Sequence, residues 1–161
     1  ASEGEKKNCR GGSVIRPGQG NALPLQNAII LEVSMEQKKK VLALDDQKSM
    51  QNILNFALKK EFDVTVVGTS SDAVDKAKGG SFDFILLDVT LDNDSTDGIG
   101  VARQIQDAGV NTPIAFLTSL TEESLEDDQK ERAKSLRNVK FYQTKPIAPL
   151  DLIGKIKGIT G

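Results

Sequence analysis

From Lys40 to the C-terminus, short apolar runs that stop at polar or acidic residues alternate with stretches whose apolar residues recur at helical spacing. Val41-Leu42-Ala43-Leu44 halts at Asp45-Asp46, and Met50, Ile53, Leu54, Ala57 and Leu58 then mark one face of a helix. Val64 to Val67 ends at Gly68, and Ala73, Val74 and Ala77 predict a short helix closed by Gly79-Gly80. Phe82 to Leu87 is the most strand-like run and ends at Asp88. Val101, Ala102, Ile105 and Ala108 predict the next helix, with Gly109 as its stop. Pro113 to Leu117 reads as a strand and Thr121 to Arg137 as one long charged helix. Val139 to Tyr142 and Leu150 to Ile159 complete the series. Strands apolar along their whole length are buried on both faces, so the pattern predicts an α/β fold with a parallel sheet between helical layers.

Composition narrows the chemistry. The chain has no histidine, which removes Ser-His-Asp and Cys-His machinery and the commonest zinc ligand. Carboxylates, hydroxyls and lysines remain, and that set favours a hard cation such as Mg²⁺. A formal net charge of −2 offers no basic field for nucleic acid or an anionic membrane. No apolar run approaches the roughly 20 residues of a membrane span. Cys9 is the only cysteine, so an intrachain disulfide is impossible, in keeping with a reducing compartment.

Residues 1–34 differ from the rest. Gly11 to Gly20 is rich in glycine, and the apolar patch Ala28 to Leu31 is too short for a secretory signal. The expectation is a flexible extension or sequence added for expression, with Met35 as a native start and one domain over 35–161. A real extension whose Ala28–Val33 segment docks as a strand is the alternative.

In an open parallel sheet, ligands bind beyond the carboxyl ends of the strands. Asp45 and Asp46 follow the first predicted strand, and Asp88 ends the third. Thr118 and Ser119 end the fourth, and Lys145-Pro146 follows the fifth. With strand order 2-1-3-4-5, these groups meet on one rim. Three carboxylates so close resist ionising together unless a cation compensates them. Mg²⁺ would do so, with Lys145 as a second positive charge and Thr118 as a hydroxyl donor. A carboxylate framed in this way can form an acyl phosphate. Plainer readings exist for each residue. Asp45-Asp46 can cap the following helix, Asp88 can form a turn, and Lys145-Pro146 can be a surface turn. Thr118 can satisfy a carbonyl, and Tyr142 can be a half-buried edge aromatic.

Lys-Lys-Val-Leu-Ala-Leu-Asp-Asp-Gln (39–47), Phe-Asp-Phe-Ile-Leu-Leu-Asp (82–88), Phe-Leu-Thr-Ser (116–119) and Lys-Pro (145–146) together resemble the CheY-like receiver family of two-component response regulators. The resemblance covers roughly residues 39–159. It implies a flavodoxin-like (βα)5 fold, a doubly wound five-stranded parallel sheet of order 2-1-3-4-5. It implies Asp88 as phosphoacceptor and Mg²⁺ held by Asp45, Asp46, Asp88 and the backbone carbonyl of Thr90. Lys145, Thr118, Ser119 and Tyr142 would contact the phosphoryl group or relay its arrival, and the Lys145–Pro146 bond would be cis. The face of the fourth helix, fifth strand and fifth helix would change shape for a partner. Implied partners are a sensor histidine kinase or phosphotransfer protein and a downstream protein target, in the cytoplasm, without direct nucleic-acid binding or membrane insertion. Such a chain modifies its own aspartate and is no conventional enzyme. The alternative is a degenerate receiver that binds partners without phosphorylation.

Two segments depart from the family's pattern. Val89 to Gly98 lacks the usual Met-Pro, is longer, and carries extra acids at Asp92 and Asp94, read as solvating the loop or adding to an ion's field. The charges of 121–137 run from acidic to basic, which complements a helix macrodipole and can also form a partner surface. Other doubly wound functions fit less well. No Gly-rich turn follows the first strand, as a dinucleotide site needs, and Asp88-Val89-Thr90 does not match the Asp-x-Asp of haloacid-dehalogenase-type phosphatases.

Overall fold

A computed structural model describes residues 37–119 and 122–161. Expectations for residues 1–34, including a docked Ala28–Val33 strand, lie outside the described residues. Lys38–Gly161 form one unit of five strands and five helices. In order these are β1 (Lys40–Leu44), α1 (Lys48–Leu58), β2 (Asp63–Val67), α2 (Ser70–Gly79), β3 (Phe84–Asp88), α3 (Gly98–Asp107), β4 (Ile114–Thr118), α4 (Asp127–Lys134), β5 (Val139–Thr144) and α5 (Pro149–Thr160). A single 3₁₀ turn, Glu122–Ser124, precedes α4. All pairings are parallel, in the order β2-β1-β3-β4-β5. The predicted topology is therefore the observed one, and the strand order reverses beside the carboxyl ends of β1 and β3.

Alternation along the strands divides the core in two. Leu42, Leu44, Ile85, Leu87 and Phe116 pack with Ala73, Val101, Ile105 and Leu125 on one face. Val41, Ala43, Phe84, Leu86 and Leu117 pack with Leu54, Leu58, Leu152 and Ile156 on the other. Burying such a side chain fully stabilises the fold by about 1.5–3 kcal/mol, so the two layers make the central strands a rigid frame for whatever projects from their ends. β3 and β4 are buried at every position, whereas β2 and β5, at the sheet edges, are not. The predicted stop of α3 holds. Gly109 adopts φ +86°, a left-handed turn that glycine reaches without steric cost.

Two expectations need correction. Ile53, on the predicted apolar face of α1, is 51% exposed, because α1 presents more apolar surface than the sheet covers. With Phe56 and Leu150, at 73% and 85%, it lines a groove between α1 and α5. The long helix over 121–137 is also not continuous. Leu125 turns into the core, and Glu126, extended at φ −64° and ψ 152°, starts α4 through a reciprocal capping box with Gln129. The 8-residue helix keeps the expected polarity, with Asp127 and Asp128 in its first turn and Arg132 and Lys134 in its last. No helix among the described residues is long and apolar enough to cross a membrane.

Candidate functional site

The parallel register brings three carboxylates to one edge. Asp45 directly follows β1 and is fully buried, and Asp88 is the last residue of β3 at 3% exposure. Asp46 is half-buried beside them. One oxygen from each lies within 4.8 Å of the others. Lys145, one residue past β5, reaches further into this cluster than the sequence suggested. Its Nζ donates to Asp45 Oδ2 at 2.7 Å and to Asp88 Oδ2 at 2.9 Å. The Lys145 amide donates to the Thr118 carbonyl at 2.8 Å, fixing the turn that aims the side chain inward, and the Lys145–Pro146 bond is cis as expected.

These charges are unevenly compensated. Burial raises the Asp88 carboxyl from its ordinary value to about 6, further raised by the Asp45 charge and opposed by the hydrogen bonds from Lys145 and Thr90. Burial works against the charge on Lys145 as well, but its bonds to Asp45 and Asp88 prevail and hold it above the usual lysine value. One ammonium thus serves two buried acids. A further cation would relieve the remaining repulsion.

The hydrogen bonds show where that cation fits. Asp45 Oδ1 accepts the Gln47 amide at 2.9 Å, and Asp88 Oδ1 accepts the Thr90 amide at 3.2 Å. Asp46 Oδ2 accepts the Asp92 amide at 3.0 Å and Asn93 Nδ2 at 3.3 Å. Asp46 Oδ1 is buried and has no hydrogen-bond partner among the described residues. A buried, unpaired carboxylate oxygen is costly in isolation, and an all-oxygen donor set suits a hard divalent ion. Asp45, Asp46 and Asp88 therefore fit Mg²⁺. Neither Asp45 nor Asp46 caps α1, because Gln47 holds that position without a side-chain cap.

The other expected residues are distributed around this centre. Thr90 is exposed, and its described contact is the amide bond to Asp88 rather than one through its carbonyl. Thr118, the last residue of β4, is buried at 2%, and Ser119 directly after it is exposed. Tyr142 lies two positions down β5, and its half-buried ring packs on Phe116 with centroids 5.5 Å apart. Phe116 pairs with Tyr142 and Thr118 with Thr144, so strand alternation puts Thr118 and Tyr142 on the same sheet face. Tyr142 also lines a groove of about 580 Å³ with Lys130, Ala133, Lys134, Leu136 and Val139.

The loop after Asp88 holds what sequence reasoning missed. Asp97 caps α3 by accepting the Gly100 amide at 2.8 Å and meets both terminal nitrogens of Arg132, on α4, at 2.9 and 2.7 Å. Gly98 follows because no other residue fits. A Cβ there would lie 2.0 Å from the Asp88 carbonyl oxygen, so the Asp-Gly pair was a readable signal, whereas nothing in the sequence marked Arg132 as its partner. Asp94 is neither a solvated acid nor part of the ion cluster, as had been expected. It accepts the Ser70 amide and hydroxyl, each at 2.6 Å, and ties the loop to the first turn of α2.

Comparison with known proteins agrees with this fold. Residues 41–157 match the response regulator receiver domain. The chain is 30% identical over 123 residues to the alkaline phosphatase synthesis transcriptional regulatory protein PhoP of Bacillus subtilis, covering 75% of this chain and 48% of PhoP. It is 29% identical over 122 residues to the transcriptional regulatory protein TrcR of Mycobacterium tuberculosis, covering 74% and 44%. It thus spans about half the length of these curated relatives. Among solved structures, the N-terminal domain of a response regulator/sensory box/GGDEF protein from Carboxydothermus hydrogenoformans matches with TM-score 0.66 and 28% identity over 76% of this chain and 94% of that one. The Vibrio cholerae chemotaxis protein CheY4 matches with TM-score 0.64 and 25% identity, over 76% and 98%.

Proposed function

Because the chain belongs to the response regulator receiver domain family, we propose that Asp88 accepts a phosphoryl group and that its arrival changes a protein-binding face. The observation that carries this reading is Lys145 Nζ bridging Asp45 and Asp88, with a carboxylate oxygen of Asp46 within 4.8 Å of theirs and Asp46 Oδ1 buried without a hydrogen-bond partner among the described residues. Response regulators interact with histidine kinases or phosphotransfer proteins, and the donor proposed here is the phosphohistidine of such a protein, in the cytoplasm. A carboxylate oxygen of Asp88 attacks phosphorus, the phosphorus–nitrogen bond breaks, and the imidazole leaves with the bonding electrons. With its carboxyl near 6, Asp88 is mostly ionised at neutral pH, as a nucleophile must be.

Asp45, Asp46 and Asp88 would hold Mg²⁺, which supplies charge neutralisation of the phosphoryl oxygens when bound. The Thr90 carbonyl is proposed as a further ligand. Lys145 keeps its bond to Asp45 and donates a second hydrogen bond to a phosphoryl oxygen. The modification adds roughly −1.5 to −2 charges and three acceptors at the rim. The Thr118 hydroxyl turns towards one of them, with Ser119 and the loop after β4 following. Tyr142, on the same face, then shifts against Phe116 and reshapes the groove it shares with α4. The chemistry is a single modification of the chain's own aspartate rather than turnover of a free substrate. The downstream partner is proposed to be a protein.

The test is intact mass after incubation with Mg²⁺ and a small phosphodonor such as acetyl phosphate. One phosphoryl gain that is absent from Asp88→Asn supports the reading. No gain with several donors, together with no beryllofluoride-induced amide shift, overturns it in favour of phosphorylation-independent binding.

A further inference from the structure

The unusual stretch between Asp88 and Gly98 is tied down on both sides. Asp94 holds Ser70 at the start of α2, and Asp97 holds Arg132 on α4. Asn93 and the Asp92 amide, between the carboxylate cluster and the Asp94 tether, both point at one atom, Asp46 Oδ2. Asp46 is half-buried and directly follows Asp45, outside the regular strand, so the sheet does not by itself orient its carboxylate. A carboxylate has two oxygens on one planar group. The loop holds Oδ2, Oδ1 is buried with no hydrogen-bond partner among the described residues, and one Asp46 oxygen lies within 4.8 Å of carboxylate oxygens of Asp45 and Asp88.

We infer that Asn93 is a positioning residue for the divalent cation. Its amide, held in place by the Asp94–Ser70 tether, presets the orientation of the Asp46 carboxylate before any ion arrives. The inference rests on the reading of Asp45, Asp46 and Asp88 as a Mg²⁺ site and adds to it a residue of the longer loop. Preorganisation acts on affinity because a ligand oxygen already aimed loses no rotamer freedom on binding. Without the Asn93 donor, only the Asp92 amide holds Oδ2, the carboxylate is less fixed about its last bond, and the ion must supply part of the ordering.

The experiment titrates Mg²⁺ into the unphosphorylated full chain and follows backbone amide shifts around residues 45, 46 and 88, a readout independent of phosphoryl transfer. Asn93→Ala is expected to weaken Mg²⁺ binding by about three- to tenfold, the range of an ordinary hydrogen bond, because the Asn93 contact is long at 3.3 Å and the Asp92 amide still holds the same oxygen. Asn93→Gln, which keeps the amide donor, is expected to restore most of it. The thermal midpoint without Mg²⁺ should not move, because Asn93 is exposed and a purely structural role would show there. Asn93→Ala binding Mg²⁺ as tightly as the unaltered protein, while Asp46→Ala does not, overturns the inference and leaves the metal site standing. No Mg²⁺ response in the unaltered protein overturns the metal reading and the inference together.

Discussion

Two aspartates at opposite ends of one loop each face a cation, and they respond in opposite ways. Asp88 is buried, shares the single Lys145 ammonium with Asp45, and has its carboxyl raised to about 6. Asp97 is 22% exposed at its side chain. Burial works against its charge, but the Arg132 fork and the Gly100 amide outweigh it, and its carboxyl lies below the ordinary range. The bond to Asp97, with a further one to Asp128, holds the Arg132 guanidinium above its ordinary value. The first aspartate has less positive charge than it needs and is poised to take more. The second has a bidentate partner of its own and is locked. The carboxylate whose compensation is incomplete is the proposed phosphoacceptor, and the one whose compensation is complete is structural.

The sharpest way to break the contrast is to remove the shared cation. Lys145→Met leaves two buried acids without an ammonium, and loss of one partner of a buried pair costs about 3–5 kcal/mol. Urea denaturation at pH 8 should show this loss, and it should shrink at pH 5, where Asp88 takes up a proton instead. Asp88→Asn should act in the other direction. The folded value near 6 lies above the unfolded value of about 3.9, so the native state binds more protons between them. Stability therefore falls as pH rises from about 4 to 6 and stays lower above. Replacing the carboxylate with an amide should recover on the order of 1–3 kcal/mol at pH 8 without Mg²⁺ and almost nothing at pH 4. Equal gains at both pH values would remove the claim that Asp88 is strained by its own charge.

Asp97 should behave as the mirror image. Its depressed value contributes stability that is present above about 3.9 and lost as pH falls through the folded value. Asp97→Ala removes a helix cap and the Arg132 partner together, for a loss of about 2 kcal/mol at neutral pH. Arg132→Ala, which leaves the cap, should cost about 1 kcal/mol, and less in high salt because the guanidinium is partly exposed. Thermal melts of both variants from pH 3 to 8 would check the order. An Arg132→Ala loss as large as that of Asp97→Ala would mean that the cap adds nothing.

The two centres were not equally legible. Asp45, Asp88, Thr118 and Lys145 could be placed from sequence because a parallel sheet carries every strand end to one edge, so a residue's position after an apolar run fixes its position in space. Asp97 was visible only as half of an Asp-Gly pair, and Arg132 not at all. Their meeting depends on where α4 begins, and charges alone suggested one helix over 121–137. The core residue Leu125 breaks that helix, and with so few apolar residues there the periodicity could not reveal it. Asn93 and Asp94 looked like ordinary turn residues because their partners, Asp46 and Ser70, are distant in sequence and near only through the loop's path.

Asp94 provides the smallest test and separates charge from geometry. It is a third carboxylate on the same loop, and hydrogen bonds from Ser70 set its value below the ordinary range rather than any cation. The Ser70 amide belongs to the first turn of α2, where helix donors lack internal partners, so an acceptor there matters more than a full charge. Asp94→Ala should then cost about 0.5–1 kcal/mol, while Asp94→Asn, which keeps one oxygen for the amide, should cost less than half as much. Asp97→Asn offers no such rescue, because an amide cannot replace both oxygens of the Arg132 fork. If urea denaturation finds Asp94→Asn as harmful as Asp94→Ala, then Asp94 is held by charge as Asp97 is, and the loop has two electrostatic locks instead of one.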